Sequence, residues 1–368
     1  MAVIVEPQSV TFDTKLLLQS GRILGPITLA YETYGTLNNN RSNAILVTHA
    51  WTGNAHLAGK HTVQDKGVGW WNPLVGPGKL LDTDRYFIIC SNVIGSCFGS
   101  TGPTSLNPKT RKRYNLDFPV ITIRDVVTAQ RLLIDHLGIG RLLTVLGGSM
   151  GGMQALEWAT QHPDRIASAV ILAATPRPSA QAIAFNGIAR WAITNDHSWR
   201  GGRYKHNPKK GLSLARGIGH ITFLCDEYMN DKFGRDFSSH TGLFDFFGQF
   251  DIESYLRSKG NSFAERFDAN SFLFLAKAID LYDVAWECDS LEEAFAPVTA
   301  PLQFFAFTSD WLYPPSQTEK MVTSLQKIGK PVQYHLITSP FGHDAFLIEY
   351  NTFIPMIRSF LKQAEGLI

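Results

Sequence analysis

Runs of consecutive apolar residues, each closed off by glycine, proline or polar clusters, divide this chain into the units of a sheet. Residues 43–49, 86–90, 142–146, 169–174, 302–307 and 332–337 carry such runs. Each is short and mostly apolar or β-branched, and the continuous run at 43–49 suits a central parallel strand covered on both faces. Residues 120–137 have a different rhythm: Val126, Val127, Ala129, Leu132, Leu133 and Leu137 recur at helical spacing, and Gly138 ends the pattern. Helices are also expected at 153–161 and from about 350 to 364, and an opening antiparallel pair at 10–18 and 27–34 around Gly25-Pro26. Strands alternating with helices imply a mostly parallel sheet with right-handed crossovers. The strand following 169–174 that fits this sheet is 302–307, so residues 176–301 read as an insertion with helices at 180–194, 211–224 and 270–285. The expected architecture is an α/β core, 1–175 and 302–368, with a helical cap at 176–301 over the carboxyl ends of the strands. That edge is where such sheets hold ligands.

Composition narrows the class. A chain of 368 residues suits one core with an insertion, and a net charge of +2 argues against a general nucleic-acid binder. Two basic clusters, 109–113 and 205–210, lie among loop formers and read as solvated loops, with an anionic-substrate patch as the alternative. Cys90, Cys97, Cys225 and Cys288 lack Cys-x-x-Cys spacing and read as reduced thiols. No apolar run approaches membrane-spanning length, and residues 1–6 turn acidic too soon for a secretory signal. A soluble, cytoplasmic protein is expected.

The chemistry centres on Gly147-Gly148-Ser149-Met150-Gly151, between an apolar strand and a helix. This is the Gly-x-Ser-x-Gly elbow, in which small neighbours let strand and helix close in around a strained serine. A serine hydroxyl needs a base, and the base needs an acceptor that fixes its tautomer. Elbow folds supply the acid and then the histidine on loops after late strands. Asp310 follows the 302–307 run and His343 follows the 332–337 run, so Ser149, Asp310 and His343 are the expected triad. The loop after 43–49 and the residue after the serine supply oxyanion N–H groups in such folds, which nominates Trp51 and Met150. His49 and His56 share that loop without a third nearby ligand, so structural hydrogen bonds are expected of both and no metal. His136, His162, His197, His206 and His240 lie away from the elbow, and His220 in the insertion is a lesser alternative base.

With these motifs the chain resembles the homoserine O-acetyltransferases of the α/β-hydrolase superfamily. The resemblance runs through Tyr31 to Gly35, His49 to Gly53, Gly69 to Trp71, Gly99 to Pro103, Gly147 to Trp158, Phe185-Asn186, Arg266 to Asn270, Ser309 to Tyr313 and Gly342 to Phe346. It implies a ping-pong reaction in which Ser149 takes an acetyl group from acetyl-CoA and the hydroxyl of L-homoserine collects it, for methionine biosynthesis. Acetyl-CoA is then a substrate, and no cofactor is implied. The resemblance assigns Arg216 to the acceptor's carboxylate and Asp344 to its ammonium, and suggests a homodimer built through cap helices. Trp51 and Gly217 depart from the leucine and the bulkier residue that relatives commonly carry there. A succinyl donor, a serine acceptor, a plain esterase and a non-catalytic binding protein stay open as alternatives.

Overall fold

The computed structural model describes residues 3–238, 246 and 249–368. In chain order its regular elements begin with β1 (Gln8–Phe12), β2 (Leu16–Leu17), β3 (Ile23–Leu24), β4 (Ile27–Tyr34), β5 (Ala44–Thr48), β6 (Phe87–Ser91), α1 (Ile123–His136), β7 (Thr144–Gly148), α2 (Met150–Gln161) and β8 (Ala169–Leu172). There follow α3 (Ala180–Thr194), α4 (Lys209–Phe223), α5 (Asp226–Phe233), α6 (Asp251–Arg266), α7 (Ala269–Asp280) and α8 (Leu291–Phe295). The chain closes with β9 (Leu302–Phe307), α9 (Pro315–Lys327), β10 (Val332–Ile337), α10 (Ala345–Ile348) and α11 (Tyr350–Glu365).

Eight strands form one sheet in the order β1-β4-β6-β5-β7-β8-β9-β10. β4 is antiparallel to both β1 and β6, and every pairing from β6 across to β10 is parallel. The central strands β5, β7, β8 and β9 are buried throughout, which is why their sequences read as unbroken apolar runs. One apolar cluster gathers α1 and α2 on one side of the sheet, and a second gathers α11 with Trp71 and Phe346 on the other.

The opening pair differs from expectation. The 10–18 run breaks at Asp13-Thr14; β1 alone joins β4, and β2 turns aside to pair with β3. Helix α2 starts at Met150, three residues before the expected start, because Gly151 and Gly152 act here as contact points rather than as breakers. A Cβ on Gly151 would lie 2.1 Å from the Thr48 carbonyl oxygen, and one on Gly152 would lie 2.8 Å from the Ala174 Cβ. Between β8 and β9 the chain is helical, with α3, α4 and α6 packed together, while α8 turns back onto α9. Helix α7 ends at Asp280 rather than 285, and α5, α6, α8 and α9 were not anticipated from periodicity. Among the described residues, no helix is long and apolar enough to cross a membrane.

Candidate active site

Ser149 stands between the last residue of β7 and the first of α2, with φ 57° and ψ −124°. A non-glycine residue holds such a backbone only where its surroundings leave no alternative. Here the surroundings are two close approaches. A Cβ on Gly147 would come within 2.2 Å of Thr48 Oγ1, and one on Gly148 within 2.3 Å of the Phe346 ring. Thr48 Oγ1 also donates to the Gly151 carbonyl at 2.8 Å, tying β5 to the first turn of α2.

Asp310 and His343 arrive from the loops after β9 and β10. His343 Nδ1 donates to Asp310 Oδ2 at 2.7 Å, and His343 Nε2 lies 2.8 Å from Ser149 Oγ. The amides of Leu312 and Tyr313 donate to the other Asp310 oxygen at 3.0 and 2.9 Å, fixing the carboxylate's rotation. A carboxylate only accepts, so the Nδ1 proton is assigned by its partner and Nε2 is free to take the serine proton. His343 is buried, which on its own would lower the imidazole pKa. The charge and hydrogen bond of Asp310, with the charge of Asp344, outweigh burial and hold it above 6.5. The three residues nominated from sequence therefore meet.

The two nominated oxyanion donors sit on adjoining segments. Met150 is the first residue of α2, where helix N–H groups lack intrahelical acceptors. Trp51 lies on the loop after β5, its ring 4.4 Å from that of Phe272. A buried chain braces this loop: Trp158 donates to Gln130 (2.9 Å), Gln130 to Gln154 (2.7 Å), and Gln154 to the carbonyl of His49 (3.1 Å). The sequence reading missed Gln130 and Gln154; two glutamines on the inner faces of apolar helices were the available signal. His49 has a structural role, its Nδ1 facing the Ala50 carbonyl at 2.8 Å and its Nε2 accepting the Val93 amide at 3.1 Å. Burial pushes its pKa down to about 4.

The triad opens into a pocket of about 120 Å³ lined by Trp51, Phe185, Phe223, Leu312 and Tyr313, among others. Arg216 and Asp344 face the same pocket. Arg216 is the only lysine or arginine lining it among the described residues; Thr52 Oγ1 accepts from it at 3.2 Å, and the Phe223 and Phe263 rings flank it at 5.5 and 5.0 Å. It forms no salt bridge among the described residues. Desolvation pulls its pKa down to about 10, against the raising effect of Asp344. Burial raises the Asp344 carboxyl, although the charges of His343 and Arg216 oppose it. A wider cleft of about 440 Å³ beside Pro176 and Cys288 has no histidine in its lining among the described residues.

His220 packs against Tyr255 and Phe223, its pKa lowered to about 3 by burial and then by Arg216, Lys259 and Lys232. His343 holds the position that His220 would need to act as base. His136, His162, His197 and His206 do not line the pocket, and His240 lies outside the described residues. Both basic clusters are largely exposed, and Lys209 pairs with Glu265 at 2.7 Å.

A parallel sheet, an elbow serine and an acid and base on later loops define an enzyme of the α/β-hydrolase class, and the α/β hydrolase fold family model matches residues 43–350. Over 362 residues the chain is 72% identical to the homoserine O-acetyltransferase of Geotalea uraniireducens, covering 98% of each. The crystal structure of the homoserine O-acetyltransferase from Bacillus anthracis superposes with a TM-score of 0.92 at 35% identity, covering 98% of both chains. Esterase E22 superposes at 0.89 with 30% identity, over 97% of this chain and all of that one. The chain belongs to the homoserine O-acetyltransferase family.

Proposed function

We propose that this protein transfers an acetyl group from acetyl-CoA through Ser149 to the hydroxyl of L-homoserine, giving O-acetyl-L-homoserine and CoA. One observation carries the acceptor: a largely desolvated arginine, Arg216, with no salt bridge among the described residues, and a carboxylate, Asp344, share one narrow pocket with the Ser149–His343–Asp310 chain. An amino acid brings the complementary carboxylate and ammonium, each of which needs a partner once removed from water.

The chemistry runs in two halves. Ser149 Oγ attacks the thioester carbonyl as its proton passes to His343 Nε2, and the Trp51 and Met150 amides receive the oxyanion. Collapse breaks the C–S bond, and the imidazolium returns its proton to the departing thiolate. The homoserine hydroxyl then gives its proton to Nε2 and attacks the acyl-serine, and collapse of the second intermediate returns that proton to Ser149 Oγ. The protein supplies nucleophile, base and oxyanion donors itself, so the reading needs no metal or prosthetic group. The tight aromatic lining, with Arg216 its only lysine or arginine among the described residues, favours acetyl over succinyl.

The same reading includes a homodimer through the cap and a cytoplasmic location. Supporting the dimer, Ile188 and Trp191 of α3 and Leu214 of α4 are exposed on neighbouring helices.

The test is purified protein with acetyl- or succinyl-CoA against homoserine, serine or water, following free thiol. Acetyl-CoA with homoserine should be the fastest pair, and Arg216→Ala should raise the homoserine KM by about ten- to a hundredfold while leaving acylation by acetyl-CoA in place. Equal turnover with water as acceptor would favour the esterase alternative that E22 embodies.

A further inference from the structure

We propose that Glu32, His56 and His61 form a binding site for a divalent transition-metal ion of the zinc type, which fastens the segment beyond the Trp51 loop to strand β4. The site is separate from the acyl-transfer pocket, which none of the three lines.

The starting point is a carboxylate in an apolar place. Glu32 sits on β4 between buried Tyr31 and Tyr34 and is itself 3% exposed. A buried charge persists only if paired or ligated. Among the described residues, its salt-bridge partners are two histidines, which are cations only when protonated. His56 Nδ1 lies 3.0 Å from one carboxylate oxygen and His61 Nε2 lies 2.7 Å from the other, and one ligand atom from each residue falls within 4.8 Å of the rest. Two imidazoles and a carboxylate are a zinc ligand set that leaves a fourth position for water.

The surroundings orient these groups as a metal site requires. Tyr34 donates its hydroxyl proton to Glu32 Oε2 at 2.6 Å and accepts the Leu57 and Ala58 amides at 2.9 and 3.1 Å, which fixes the carboxylate from behind. The His56 amide donates to Asn54 Oδ1 and the His61 amide to Asp65 Oδ2, both at 2.9 Å. The chain turns between the two histidines at Gly59, with φ +72° and no room for a Cβ beside the Val3 carbonyl. The His61 side chain is 39% exposed, which gives an ion its way in. On binding, the ion takes the place of the protons between ring nitrogens and carboxylate, and both imidazoles become neutral ligands. The sequence reading expected no metal because His49 and His56 had no third ligand in their loop. The fold turns His49 elsewhere and brings Glu32 and His61 to His56.

The experiment uses the full chain, stripped with a chelator, dialysed and titrated with Co²⁺ and then Zn²⁺. One equivalent of Co²⁺ should give the visible absorption of a four-coordinate ion without sulfur-to-cobalt charge transfer. Zn²⁺ should displace it and raise the unfolding midpoint. His61→Ala should weaken binding by about a hundredfold or more and abolish the rise in the unfolding midpoint on adding Zn²⁺. His136→Ala, away from the cluster, should bind as the wild type does. No saturable binding by the wild type, equal binding by His61→Ala, or a charge-transfer band marking a cysteine ligand would each overturn the proposal. Should His61→Ala fail to fold, His56→Ala provides the same comparison.

Discussion

At the scale of single residues, the account turns on His343, whose proton affinity is set by two opposed effects. Burial lowers it, and Asp310 together with the charge of Asp344 more than offsets this. The imidazole must be neutral to accept the serine proton, so kcat/KM should fall as pH drops through a value above 6.5. Asp310→Asn removes the larger raising charge and leaves burial opposed by Asp344. A pH–rate profile of that variant should show its acid limb moved to lower pH, with kcat reduced by about 10⁴-fold. An unmoved limb would mean that Asp310 does not set the imidazole's affinity. Ser149, Asp310 and His343 were legible because each follows a strand-like run, in the chain order that elbow folds use. Glu32 and His61 were not, since their meeting depends on how a long loop folds back over β4. A glutamate inside an otherwise apolar strand was the one trace of it in the sequence.

Strands were legible where apolar residues predominate between turn formers, at the half-exposed edge as well as in the buried centre of the sheet. The runs at 302–307 and 332–337 became β9 and β10 with the same limits. Helix α6, with Asp251, Glu253, Arg257, Lys259 and a glycine at 260, has no apolar stripe strong enough to reveal it; it forms by packing along α4. The start of α2 was misjudged for a related reason, because glycine there answers to tertiary contact rather than to propensity. This contrast is measurable by denaturant unfolding. Gly151→Ala forces β5 and α2 apart at the Thr48 carbonyl and should cost about 1–3 kcal/mol, with lost activity. Gly217→Ala lies in a helix with open space around the new methyl group and should gain up to about 1 kcal/mol. A stable, active Gly151→Ala would refute the close-approach explanation of the elbow.

For the whole molecule, the sheet brings residues from four distant parts of the sequence to one edge, and the helices between β8 and β9 supply Arg216 and much of the apolar wall. The general plan was readable from alternating strand and helix patterns; the path of the helices over the site was not. Trp191 and Leu214, 67% and 60% exposed, should be covered in the proposed dimer. Sedimentation velocity should find a dimer that Trp191→Glu with Leu214→Glu converts to monomers, whereas a monomeric wild type would contradict this.

In the proposed reaction Ser149 carries the acyl group between two substrates. This is tested most directly by mass spectrometry of the protein mixed with acetyl-CoA alone and then given homoserine. The peptide containing Ser149 should carry one acetyl group, absent in Ser149→Ala, and discharge it into O-acetylhomoserine faster than into water. Product formation by Ser149→Ala at the wild-type rate, or an acetylated serine that homoserine fails to discharge, would contradict it.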